Sequence, residues 1–128
     1  MIGKSTKKIL VVEDDMPTLE AIGLKLKEQG FLVENAFDGE EAMEKIKENN
    51  YDLVLLDILL PKKNGFEIIR EMKTNDNLKN IKILVFSNLN HSESVTWALS
   101  QGIEGYVVKA DTDVNSLIEE IKKVLLKK

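Results

Sequence analysis

Short, nearly unbroken apolar runs alternate along this chain with longer stretches in which apolar residues recur at helical spacing. The runs are Ile9–Val12, Phe31–Asn35, Leu53–Leu56, Ile83–Phe86 and Tyr106–Val108. Continuous runs of this length predict strands buried on both faces, as in a parallel sheet covered by helices. The second run ends in Glu34 and Asn35 and is predicted at a sheet edge. Helices are predicted between and after the runs. Thr18–Gln29 carries Leu19, Ile22 and Leu26, and Gly39–Asn49 carries Ala42, Met43 and Ile46. Gly65–Lys73 carries Phe66, Ile69 and Met72, and Ser92–Gln101 carries Val95, Ala98 and Leu99. Val114–Leu126 carries Leu117, Ile121, Val124 and Leu125.

Local signals support these boundaries. Asp38, Asn64 and Asn90 each precede a glutamate by three residues, the spacing of a capping box. Gly30 and Gly102 stand where a left-handed helix C-cap is wanted, and Pro17 where a first helical turn tolerates proline. Strict strand–helix alternation predicts an α/β fold of the (βα)5 type, a doubly wound five-stranded parallel sheet. Right-handed crossovers make 2-1-3-4-5 the natural strand order, which is flavodoxin-like. In such folds ligands bind beyond the carboxyl ends of the strands at the switch point, here between the first and third strands.

Composition narrows the picture further. The 128 residues suit a single domain over 1–128, with residues 1–7 expected as a flexible leader. The net charge of −4 argues against direct nucleic-acid binding. Cysteine is absent and His91 is the single histidine, which excludes disulfides, thiolate metal sites and histidine-based zinc. No apolar run approaches the roughly 20 residues of a membrane span, and no signal peptide is recognisable. A cytoplasmic location is expected.

The chemistry sits just past the strands. The first strand leads into Glu13, Asp14 and Asp15, the third into Asp57, the fourth into Ser87 and the fifth into Lys109. Two carboxylates about 4 Å apart repel by roughly 4 kcal/mol at an effective dielectric near 20. A hard cation relieves that repulsion, and an all-oxygen site with few protein ligands suits Mg²⁺. Carboxylates, a hydroxyl and an ammonium on one sheet edge are what phosphoryl transfer to a carboxylate needs. Asp57 is the candidate nucleophile, Glu13 and Asp14 the candidate metal holders, and Ser87 and Lys109 the candidate phosphate-binding groups.

Four segments now resemble the receiver domains of bacterial two-component response regulators, of the chemotaxis-regulator type. They are Ile9-Leu-Val-Val-Glu-Asp-Asp15, Leu53-Val-Leu-Leu-Asp-Ile-Leu-Leu-Pro61 with Gly65, Ile83-Leu-Val-Phe-Ser87, and Gly105-Tyr-Val-Val-Lys109. The resemblance implies a phosphorylation-dependent switch with Asp57 as phosphoacceptor. A histidine kinase or phosphotransfer protein would be the donor. It implies Mg²⁺ held by Asp14, Asp57 and the Leu59 backbone carbonyl, with Glu13 reaching it through water. It implies that Ser87 and Tyr106 form the switch. The partner surface would then span helix four, strand five and helix five, with Val95, Leu99 and Tyr106. The downstream protein is not named by any residue. A monomer is expected, with dimerisation possible after phosphorylation.

Two departures stand out. The family usually places proline after the lysine, often joined by a cis peptide, where this chain has Ala110. Either a strained cis bond is kept or the loop differs. The residue after the switch hydroxyl is commonly small in the family; here it is Asn88, expected to narrow the path for phosphodonors. Leu59 and Leu89 cannot orient a water, which predicts a long-lived phosphoaspartate. Trp97 lies off the face of Val95 and Leu99, toward solvent-side packing or a partner. Two competing functions remain. One is a degenerate receiver acting only as a docking module. The other is a phosphohydrolase with an aspartyl intermediate, whose usual second acid is here Leu59.

Overall fold

The computed structural model describes residues 6–126, so most of the leader expected over residues 1–7 lies outside the described residues. Five strands alternate with five α-helices: β1 (Lys8–Val12), α1 (Met16–Glu28), β2 (Leu32–Ala36), α2 (Gly39–Glu48), β3 (Leu53–Leu56), α3 (Gly65–Lys73), β4 (Lys82–Ser87), α4 (Ser92–Ser100), β5 (Gly105–Val108) and α5 (Val114–Leu126). The strands form one parallel sheet in the order β2-β1-β3-β4-β5, the flavodoxin-like arrangement. The predicted fold class is therefore the observed one.

The sheet is buried on both faces because β1, β3 and β4 carry apolar side chains at consecutive positions. Leu10, Val12, Val54, Leu56, Ile83 and Val85 pack under α2, α3 and α4. Ile9, Val11, Leu53, Leu55, Leu84 and Phe86 pack under α1 and α5. Successive strand residues face opposite sides, so each strand serves both cores. The edge strand β2 keeps only Ala36 buried, as its polar end predicts. Tyr51 donates to Glu34 at 2.5 Å and Lys8 pairs with the same carboxylate at 3.0 Å, which ties the amino ends of β1, β2 and β3 together.

Helix starts show where local rules held and where they yielded. Asp38 accepts from Glu41 N–H, and Asn64 and Glu67 form a complete capping box. Gly30 and Gly102 adopt φ of 93° and 83°, the left-handed caps expected. Two expectations need correction. α1 begins at Met16, not Thr18, because Asp15 caps it by accepting from both the backbone N–H and the hydroxyl of Thr18. α4 does not open on an Asn90 cap; its N-cap is His91, with no side-chain hydrogen bond. The apolar face of α4 is largely open. Only Ala98 is buried, while Leu99 is 47% exposed. α4 meets the sheet beside β5, all four of whose residues are half-buried, so little covers the helix.

Candidate functional site

The site is set by register. Val12 of β1 lies opposite Leu56 of β3, so Glu13 and Asp57 leave adjacent strands at the same level. Asp57 N–H donates to Val12 O at 3.1 Å, and Glu13 N–H donates to Ala36 O at 3.0 Å, which extends the ladder by one residue on each side. Asp14 follows at the surface. Glu13, Asp14 and Asp57 bring carboxylate oxygens within 4.8 Å of one another. Glu13 and Asp57 are 2% and 5% exposed, whereas Asp14 faces solvent. Such a group of acids could hold a metal ion. The donors are all hard oxygens, which fits Mg²⁺ better than a softer metal.

On the opposite strands, Ser87 of β4 is in register with Val108 of β5, so Lys109 emerges beside the hydroxyl residue. The Lys109 ammonium pairs with Glu13 Oε1 at 2.6 Å and Asp57 Oδ2 at 2.8 Å. The other Asp57 oxygen accepts Leu59 N–H at 3.1 Å, and Glu13 Oε2 accepts Asp15 N–H at 3.0 Å. Burial pushes the Glu13 carboxyl up from its ordinary value, and its bonds to Lys109 and Asp15 only partly oppose that. Burial also works against the Lys109 charge, but the bonds to Asp57 and Glu13 outweigh it and hold the ammonium above its ordinary value. One cation thus bridges two buried carboxylates, the usual condition for keeping such charges folded.

The loop after β3 is locked beneath these acids. Gly65 N–H donates to Ile58 O at 2.9 Å. A Cβ on Gly65 would lie 2.7 Å from both Asp57 O and Ile58 Cα, so only glycine lets α3 start this close. The loop carries one costly feature, Lys62 at φ 71°, whose ammonium lies 3.5 Å from Asp38.

The remaining predicted residues are placed as follows. Leu59 is exposed beside Asp14, at the rim of an open depression of about 380 Å³ bordered also by Leu60, Phe66 and Leu89. Ser87 is fully buried, and its hydroxyl accepts Leu89 N–H at 3.3 Å. Tyr106 is half-buried against the α2–α3–α4 core, and its hydroxyl donates to Leu89 O. Burial, and then the charge of Asp57, push the Tyr106 phenol up. Val95 is half-buried and Leu99 exposed, so both are open on α4. Asp15 does not join the acid group, being spent as the α1 cap. The signal was present in Asp15-Met16-Pro17-Thr18, a capping acid just ahead of an N-terminal proline.

The alternative left open at Ala110 is decided. No peptide bond among the described residues is cis, and Lys109–Asp111 form a single 3₁₀ turn. The N–H that alanine brings to this position donates to Asn88 Oδ1 at 2.8 Å. Sequence reasoning missed that contact, because the two residues lie on different loops.

Comparisons with known proteins agree with this geometry. The family model of the response regulator receiver domain matches residues 9–122. A gliding motility regulatory protein of Myxococcus xanthus is 33% identical over 117 residues, covering 91% of this chain and 15% of that protein. The response regulator ArlR of Staphylococcus saprophyticus is 33% identical over 118 residues, covering 92% of this chain and 52% of that protein. The chain therefore spans about half or less of the length of these relatives. Among solved structures, the response regulator TrrA of Thermotoga maritima in complex with Mg²⁺-BeF is 36% identical. It superposes with a TM-score of 0.79 over 94% of this chain and 100% of that one.

Proposed function

The chain belongs to the response regulator receiver domains of two-component signalling, and on that premise we propose that Asp57 accepts a phosphoryl group in a Mg²⁺-dependent step that switches the surface around α4 and β5. A receiver domain is a phosphoacceptor signalling module and not a turnover enzyme. The observation that carries the reading is the meeting of Asp57 with Glu13, Asp14 and Lys109 at the switch point of the sheet. The likeness to a relative solved with Mg²⁺-BeF supports it.

In this reading the donor is a phosphohistidine on a kinase or phosphotransfer protein. An Asp57 carboxylate oxygen forms the new O–P bond as the donor N–P bond breaks, and the released imidazole nitrogen takes up a proton. Asp14, Asp57 and the Leu59 carbonyl would hold Mg²⁺, with Glu13 acting through water. The ion, when bound, neutralises charge on the phosphoryl oxygens. Lys109 shifts from its carboxylate partners toward a phosphoryl oxygen, and the Ser87 hydroxyl offers a second donor there. The Ser87 movement loosens its bond with Leu89, the residue whose carbonyl Tyr106 now holds. Tyr106 and α4 can then rearrange, presenting Val95 and Leu99 to a downstream protein or a second copy. Leu59 and Leu89 place no polar side chain at the rim, so loss of the phosphoryl group is expected over many minutes; loss within seconds contradicts this.

Among the described residues, no helix is long and apolar enough to cross a membrane. The central test is intact mass after incubation with a small acyl phosphate, with and without Mg²⁺. One Mg²⁺-dependent adduct, absent in Asp57→Ala, is expected. Failure of the native chain to form it, with Mg²⁺ still bound, would leave a docking module.

A further inference from the structure

The structure assigns Asn88 a positioning role: its amide oxygen accepts Ala110 N–H and so holds the turn that delivers Lys109 to Asp57. This rests on the reading of Asp57 as phosphoacceptor and goes beyond it by naming what aims the cation.

Lys109 is the first residue of the 3₁₀ turn, and Ala110 the second. Proline at 110 would have no N–H to donate and would disfavour a helical conformation at Lys109. The turn seen here therefore depends on the residue that departs from the family pattern. Alanine, however, is a permissive residue and does not by itself hold a short exposed turn. The turn closes with one long bond of its own, Thr112 N–H to Lys109 O at 3.2 Å, and a shorter constraint comes from outside, through the 2.8 Å bond to Asn88 Oδ1 on the β4–α4 loop. Asn88 follows Ser87, whose backbone is held in the sheet opposite Val108. The acceptor is thus anchored to the strand next to the one that carries Lys109. The end of the Lys109 side chain is in turn engaged by Glu13 and Asp57 and lies 5.7 Å from the Phe86 ring centroid. Both ends of the lysine are then fixed, its backbone by Asn88 and its ammonium by the acids. The two departures at Asn88 and Ala110 form one compensating pair, in which each residue explains the other.

This role and the steric role expected from sequence predict opposite results for Asn88→Ala. If Asn88 chiefly narrows the path for phosphodonors, Asn88→Ala accelerates acceptance from acetyl phosphate, and only the bulkier Asn88→Leu slows it. If Asn88 positions Lys109, both variants lose the acceptor and both slow the reaction. Misplacement of a catalytic group by about 1 Å costs up to roughly a hundredfold, and about a tenfold slowing is expected here. Asn88→Asp keeps an acceptor oxygen and is expected to recover most of the rate.

The experiment measures the initial rate of Asp57 phosphorylation by acetyl phosphate at saturating Mg²⁺, in the native chain and these three variants. Amide hydrogen exchange at Ala110 is measured alongside. Slower labelling and faster Ala110 exchange in Asn88→Ala and Asn88→Leu, both reversed in Asn88→Asp, support the proposal. Faster labelling in Asn88→Ala overturns it, as does Ala110 exchange that is the same in all four proteins. The exchange readout needs no phosphorylation, so a native chain that fails to label defeats the acceptor reading of Asp57 while Ala110 still judges Asn88.

Discussion

Helices α3 and α4 are both nine residues long and cover the same face of the sheet, yet they are held very differently. α3 buries Gly65, Ile68, Ile69 and Met72 and opens on a complete capping box. Its outer face is pinned as well, since Glu71 pairs with Lys63 at 2.6 Å and Lys47 at 3.0 Å. α4 buries Ala98 alone, opens without a side-chain cap, and takes part in no ion pair among the described residues. Where the two meet, Trp97 of α4 stands edge-on to Phe66 at 5.5 Å and lies 5.3 Å from the Arg70 guanidinium. The difference matches the labour of the two ends of the site. Under the proposed switch, α3 holds the Asp57 loop still, whereas α4 follows the loop of Ser87 and Leu89, which moves. A helix with few buried contacts opens at low free-energy cost, so the segment proposed to report the signal lies on the weakly held side.

Core truncation tests this contrast most strongly. Ile69→Ala is expected to destabilise the fold by about 2–5 kcal/mol, the usual range for a fully buried aliphatic side chain. Leu99→Ala, on the exposed part of α4, is expected to change stability by less than about 0.5 kcal/mol. Urea denaturation of both variants decides the matter, and equal losses would abolish the distinction. Caps come next. Asn64→Ala is expected to cost about 1 kcal/mol, while Asn90→Ala, which removes no cap, stays near zero. In the opposite direction, His91→Ser gives α4 a capping hydroxyl and a gain of about 0.5–1 kcal/mol. The same change should slow amide exchange in α4 and reduce the Trp97 fluorescence response to phosphorylation. An undiminished response would separate α4 stability from switching.

The remaining expected effect is electrostatic. The bonds from Lys63, then Lys47, hold the Glu71 carboxyl below its ordinary range. A carboxylate with a depressed folded value stabilises above its unfolded value and loses that contribution as pH falls through the folded one. Glu71→Gln is therefore expected to cost under about 1 kcal/mol at neutral pH, as for a partly exposed pair. In acid the native chain and the variant should converge, and a cost that persists there would show that packing, not charge, pins α3.

Much of this architecture was legible from local pattern. Burial on both faces requires apolar residues at every strand position, so β1, β3 and β4 announce themselves. Alternation with helices then leaves few topologies, and the strand ends follow. That Glu13, Asp14, Asp57, Ser87 and Lys109 would share one edge was already implied by their places after the runs. Local pattern placed the α1 start two residues late, at Thr18 and not Met16, because the Asp15 cap was not read. Asp15 is spent on that cap, where Thr18 supplies two donors. Along α4, the helical spacing of Val95, Ala98 and Leu99 states which residues share a face and not how much of that face is covered, and here only Ala98 is buried.

What the sequence by itself determined was thus the class of fold, the strand order and the set of chemical groups gathered at the carboxyl edge. These follow from side-chain polarity at a fixed repeat, which is local information, together with the fixed hand of strand–helix–strand crossovers. The tertiary structure alone decided that one ammonium bridges Glu13 and Asp57, that α4 stays lightly held, that Lys109–Ala110 is trans, and that Asn88 ties down the turn beside it. Those outcomes depend on distances between loops far apart in the chain, and such distances exist only once the sheet has closed and both cores have packed.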